Sequence, residues 1–121
     1  MARQHFLYEL RSIGYTPDDL RENRLAFDYV VPVGRFAGRN IRLGFVVSDD
    51  FPLSPPGGPH LQPQLLPIHP ANDAGPLGGI HASPFGSDWQ YWSRPHPNWR
   101  ATKRTVRDYL AHIRHLFDLL Q

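Results

Sequence analysis

The residues best suited to chemistry are histidines in a segment rich in proline and glycine, residues 49–98. Asp73 and Asp88 lie in the same segment, and its histidines are His60, His69, His81 and His96. Imidazole and carboxylate groups that converge can bind zinc or iron, and the metal can activate water for hydrolysis. No pair of these histidines has a tight HxH or HxxxH spacing. A histidine-based metal-binding or hydrolytic domain is therefore one hypothesis, but no motif requires it.

Cysteine is absent from the chain, which has 121 residues, 40% of them hydrophobic and 20% charged. This length and composition are typical of one globular domain over residues 1–121. Without cysteine there is no disulfide, thiolate metal site or thiol nucleophile. The net charge of +2 and the lack of a basic block argue against a nucleic-acid module built on arginine and tryptophan. No apolar run has membrane-spanning length and no signal peptide is evident, so we expect a cytoplasmic protein without membrane association.

The periodicity of apolar residues predicts the elements that must position the histidines. Helical spacing predicts an amphipathic helix from Arg3 to Ile13, ended by Gly14. Residues 16–23 read as a turn that can include one helical turn. Two strands follow, Leu25–Val33 and residues 41–48, joined by a glycine-containing hairpin.

The second half of the chain divides into an irregular part and a helix. Prolines between residues 49 and 98 exclude long helices and central strands, leaving one short edge strand within residues 59–66. Ala101–Gln121 carries a continuous apolar stripe, and Thr102 or Thr105 can cap the helix that it predicts. We therefore expect an α+β fold with an N-terminal helix, a small antiparallel sheet, a long Pro/Gly-rich loop and a C-terminal amphipathic helix packed on the sheet.

Three motifs in this order resemble the ubiquitin-conjugating E2 (UBC-like) superfamily across essentially the whole chain. The first is an aromatic–Pro–x–x–Pro–Pro turn, formed here by Phe51, Pro52, Pro55 and Pro56. The second is the His-Pro-Asn signature: His69 and Pro70 match it directly, and Asn72 matches if Ala71 is an insertion.

The third motif is the E2 Gly-x-x-Cys stretch, which is similar to "GGIHASPF" and places His81 where the catalytic cysteine would be. E2 proteins commonly have a tryptophan eight residues after that cysteine, and Trp89 is eight residues after His81. The chain ends where a standard E2 continues with two more helices. These departures are most similar to divergent bacterial E2-like families, which are typically encoded beside ubiquitin-like, E1-like and deubiquitinase-like proteins.

The resemblance implies a function without thioester chemistry. An E2 carries the ubiquitin-like C-terminus on a thiolate, and an acyl-imidazole on a histidine would hydrolyse too readily to replace it. We therefore expect an E2-like protein that binds a ubiquitin-like modifier, an E1-like enzyme, or another E2-like or deubiquitinase-like protein, without a cofactor. Whether the chain is an enzyme stays open, because His81 could accept an acyl group or could replace a native cysteine.

The resemblance also implies the site residues. The catalytic positions are His81, Asn72 and His69, and no metal is implied. The expected binding residues are Trp89, Trp92, Phe51, Pro55 and Pro56. Each has a structural alternative: His69 can tie backbone groups together, Asn72 can serve a turn, and the tryptophans can anchor the core.

Overall fold

The computed structural model describes residues 2–70 and 77–121, and within them the protein is an α+β fold with two α-helices and an open six-stranded antiparallel sheet. The strand order in the sheet is β1-β2-β3-β4-β6-β5. The elements are α1 (Ala2–Ser12), β1 (Asp18–Asp19), β2 (Arg24–Val30), β3 (Asn40–Val46), β4 (His60–Gln62), β5 (Ile80–Ser83), β6 (Gly86–Trp92), a 3₁₀ turn (Trp99–Ala101) and α2 (Val106–Asp118).

Strands β2 and β3 confirm the predicted hairpin. Their alternating apolar residues pair across the ladder, for example Leu25 with Phe45, and these side chains are fully buried. Strand β2 ends at Val30, ahead of Pro32, because proline cannot donate to the ladder. As the period-two alternation predicts, the apolar residues of each strand share one buried face, and these faces form the centre of the core.

The prediction that residues 49–98 contain only one short edge strand and no central strand is wrong, because the segment contains β4, β5 and β6. Strand β4 is not at the sheet edge but lies between β3 and β6. It escapes the proline rule because it is only three residues long and Pro59 and Pro63 stand just outside it. The predicted helical turn over residues 16–23 is also wrong, since Asp18–Asp19 pairs with β2 as the edge strand β1.

Helix α2 begins at Val106, and its N-cap is Thr105, one of the two predicted caps, which forms a capping box with Asp108. Both helices pack on one face of the sheet, because the ring of Phe45 contacts Phe6 of α1 at 5.7 Å and Tyr109 of α2 at 5.1 Å between centroids. Across the described residues, neither helix has the length and apolar character needed to cross a membrane.

The proline-rich turn that follows β3 is held against the helices. Phe51 is buried between Phe6 and Trp99, with centroid distances of 5.1 and 6.2 Å. The indole N–H of Trp99 donates to the Pro52 carbonyl at 2.8 Å, and the Tyr109 hydroxyl donates to the Gly57 carbonyl. These bonds satisfy carbonyls that have no ladder partner and direct the chain into β4.

Two hairpin glycines provide a test of how α2 is docked. Gly34 has φ +81°, and a Cβ there would lie 2.0 Å from the Phe117 carbonyl oxygen, whereas Gly38 has φ +88° with nothing within 4 Å. We expect Gly38→Ala to cost about 1 kcal/mol from the left-handed backbone alone. Gly34→Ala should cost ~3 kcal/mol or more, because α2 must also move. Equal urea midpoints for the two variants would contradict this docking.

Candidate functional site

The predicted residues His69 and His81 both lie at the β5 end of the sheet, where His69 pairs through its backbone with Ile80, the neighbour of His81. Strand β5 is the last strand in the sheet, and His81 pairs there with Tyr91 of β6. The backbone N–H of His69 donates to the Ile80 carbonyl at 2.8 Å, and the Ile80 N–H donates to the His69 carbonyl at 2.7 Å. Two histidines twelve positions apart in sequence are thus brought to adjacent backbone positions. We call His69, Pro70, Gly79, His81 and Tyr91 the His81 site.

Gly79 makes room for the imidazole of His81. A Cβ on Gly79 would lie 2.5 Å from His81 Nε2 and 2.6 Å from the Pro70 carbonyl oxygen. The ring of His81 is 5.9 Å from that of Tyr91, and the side chain is half-exposed. The imidazole is therefore accessible from solvent while its position is defined by the backbone beneath it.

His60 lies on the same face of the sheet, in a row with the other two rings. It pairs with Tyr91 across β4 and β6, and its ring stacks on Tyr91 at 4.6 Å between centroids. The ring of Phe85 also packs against the His60 ring, with 4.5 Å between the two centroids, because the β5–β6 turn folds back over Gly44. His60 is consequently buried, whereas His81 at the other end of the row is not.

The Ser83 hydroxyl lies 2.8 Å from His60 Nδ1 and accepts a bond from the Phe85 N–H at 3.0 Å. Burial, with a smaller contribution from the positive charge of Arg24, lowers the pKa of His60 to about 4. The imidazole is therefore neutral near pH 7, and its Nδ1 shares one hydrogen bond with the Ser83 hydroxyl. A base with so low a pKa is a poor acceptor at neutral pH, so this pair stabilises the β5–β6 bulge rather than forming a hydrolytic dyad.

The structure does not support the metal alternative within residues 2–70 and 77–121. There, no three histidine or carboxylate side chains are grouped so that they could hold an ion. His96 lies beside α2, with its ring 5.1 Å from that of His112, away from the row of His60 and His81. Asp88 accepts a hydrogen bond from Gln62, and Asp73 lies outside the described residues.

Most of the residues predicted to bind a partner are buried in the structure. Trp92 is fully buried in the core, and Phe51, Pro56 and Trp89 are also buried. Such side chains offer little surface to a partner, and the burial of the two tryptophans agrees with their structural alternative as core anchors. Pro55 is partly exposed and keeps its predicted role as a possible contact.

Asn72, the third predicted catalytic residue, lies outside the described residues, and its role stays a prediction. The structural alternative for His69, in which its imidazole ties backbone groups together, stays a prediction, because the bonds that tie His69 to β5 come from its backbone. Its side chain is exposed, and because it pairs with Ile80 it lies on the opposite face of the sheet from the imidazole of His81.

Sequence reasoning missed Gln90, a buried residue of β6 next to Tyr91 of the His81 site. Its side-chain amide is fully buried, and its Oε1 accepts from the backbone of Leu65 at 3.0 Å, the backbone of Leu66 at 3.2 Å and the indole of Trp92 at 3.0 Å. Its Nε2 donates to the Leu66 carbonyl at 2.7 Å. A glutamine between two tryptophans of a strand was the available signal, because a buried amide needs several partners.

Ser93 has a similar positioning role next to the site. Its hydroxyl accepts from the Gly79 N–H at 2.9 Å and lies 3.1 Å from the Gly79 carbonyl oxygen. The Ser93 N–H also donates to that carbonyl at 3.0 Å. These bonds hold the glycine over which the His81 ring lies.

Comparisons of the chain with protein-family models, curated proteins and solved structures find no match. The class that can be stated is therefore that of the fold, an α+β protein with an open antiparallel sheet and two helices on one face.

The depressed pKa of His60 predicts a loss of stability in acid. Above pH 6.5 the imidazole is neutral in both the folded and unfolded states; between pH 6.5 and about 4 the unfolded chain binds the extra proton. The free energy of unfolding should therefore fall by about 3 kcal/mol more across this window than in His60→Gln. Urea unfolding at several pH values measures this difference, and parallel pH profiles for both proteins would contradict it.

Proposed function

We propose that this chain is an E2-like protein of a bacterial ubiquitin-like conjugation system. It binds a ubiquitin-like modifier, an E1-like enzyme or another E2-like protein, and it does not carry the modifier on a thiol. The observation that carries the proposal is the pair of backbone hydrogen bonds between His69 and Ile80, which place the His69–Pro70 dipeptide next to the strand that carries His81. The sequence resemblance assigns these two positions to the His-Pro signature and the catalytic cysteine of an E2.

The UBC-like form of the fold is part of the same proposal. Its support is the order of helix, antiparallel hairpin, proline turn and terminal helix, with both helices on one sheet face. The proline turn at Phe51–Pro56 is anchored under α2 by Trp99 and Tyr109. A turn held in this way leads directly into the strands that carry the histidines.

Binding without transfer follows from the chemistry of the site. The chain has no thiol, and an acyl group on the half-exposed imidazole of His81 would be open to water. The neighbouring Ser83 hydroxyl faces an imidazole that is a weak base at neutral pH. Recognition of a protein surface is therefore the activity that these side chains support best.

Titration with a bacterial ubiquitin-like modifier protein tests the proposal. Without ATP or metal, we expect NMR signals of Ile80–Ser83 and Tyr91 to shift. His81→Ala should weaken binding at least fivefold, about 1 kcal/mol, since a truncated interface side chain loses its contacts. His115→Ala, an exposed histidine on α2, is the matched control and should bind normally. Unchanged spectra at high partner concentration would contradict the proposal.

Incubation with the E1-like enzyme, ATP and the modifier tests whether the site transfers acyl groups. We expect no covalent adduct by mass spectrometry, because the site lacks a thiol and an acyl-imidazole formed on His81 would hydrolyse. A hydroxylamine-sensitive adduct that disappears in His81→Ala would show instead that His81 is an acyl acceptor.

A further inference from the structure

A groove lies between β2 and α2, at the opposite end of the strand order from the His81 site. Its volume is about 380 Å³, within the usual range for a binding pocket of roughly 300–1,000 Å³. We call it the arginine groove, and the residues that define it are Tyr15, Tyr29, Val30, Arg107, Leu110 and Arg114.

The floor of the arginine groove is apolar and incompletely covered. The rings of Tyr15 and Tyr29 stack with centroids 6.3 Å apart, and Leu110 is only partly buried beside the core. Val30 at the rim is 59% exposed. Ala111 also lines the groove, and its short side chain leaves the space between the flanking arginines open.

Two cations, Arg107 and Arg114, flank this floor. Arg107 and Arg114 are seven residues apart on α2, about 10.5 Å along its axis. Neither has a carboxylate within ion-pair distance among the residues that the structure describes, whereas other arginines of the protein do, as Arg3 with Asp19 at 2.6 Å. His115 and Asp118 lie beyond Arg114 in an adjoining depression, so the groove keeps a net positive charge.

The edge of the sheet beside the groove is open. Strand β1 pairs with β2 only as far as Ala26, and in the described parts of the chain no strand covers the rest of that edge. The carbonyl of Arg24 faces this edge, where it accepts a bond from Leu20. Because backbone groups alternate along a strand, those of Asp28 and Val30 face it too. Such an edge can pair with an extended peptide.

We propose that the arginine groove binds an extended acidic segment of a partner protein. The segment pairs with the open edge of β2 and places an aromatic or aliphatic side chain on Tyr15 and Leu110. Carboxylates on the same side of an extended chain lie about 7 or 13 Å apart, and the flexible stems of Arg107 and Arg114 can reach both spacings. This proposal is independent of the E2-like function.

The test uses the full chain and a fluorescein-labelled peptide with the repeat Glu-Thr-Phe-Thr, in which glutamate and phenylalanine share one face of the extended chain, followed by fluorescence anisotropy at low salt. We expect saturable binding that weakens at least tenfold in Arg107→Glu/Arg114→Glu, and also in Ala111→Phe, which fills the groove. Arg39→Glu/Arg100→Glu makes the same change in net charge at exposed positions outside the groove and should bind normally. Circular dichroism confirms that each variant is folded.

Several outcomes would overturn the proposal. An equal loss of peptide affinity in the two double variants would show that binding depends only on the net charge of the protein. Equal affinity for a peptide with glutamine in place of glutamate would show that the arginines do not recognise carboxylates. No binding at millimolar peptide, or arginine-dependent binding of a single-stranded oligonucleotide but not of the peptide, would also refute it.

Discussion

The side chain of Tyr109 joins the three parts of the fold that support the candidate site. Its ring packs on Phe45 of the sheet, and its hydroxyl donates to the Gly57 carbonyl of the proline turn. Burial raises the pKa of this phenol, so it remains a neutral donor at all ordinary pH values. One residue of α2 therefore fixes the distance between helix and sheet and the path by which the chain enters β4.

The histidines differ in chemistry because the fold gives each a different environment. His60 is enclosed by aromatic rings and stays neutral near pH 7. His112 is buried on α2, where its Nε2–H lies 2.9 Å from the Arg94 carbonyl oxygen and burial lowers its pKa. His81 remains half-exposed at the sheet edge. Residue type alone therefore does not decide which imidazole can meet a partner.

The sheet presents two separate surfaces on one rigid scaffold. The His81 site lies at β5 and the arginine groove lies beside β2, with β3, β4 and β6 between them in the sheet. Buried polar groups such as the Gln90 amide hold the β5 end, while the stacked tyrosines form the other. The geometry leaves both surfaces open at once.

The amino-acid sequence by itself determined the elements with a strong local signal. The stripe of α2 and its Thr105 cap, the β2–β3 hairpin and the α+β class follow from period, capping and turn chemistry, which act between near neighbours. Only the tertiary structure decided that residues 60–62 form a central strand and that β5 and β6 form a hairpin. Short strands between prolines have little local preference and form because distant strands supply their hydrogen bonds. The same long-range pairing brought His69 to Ile80 and buried Trp92 and Phe51, because contacts between distant residues, not residue type, set burial.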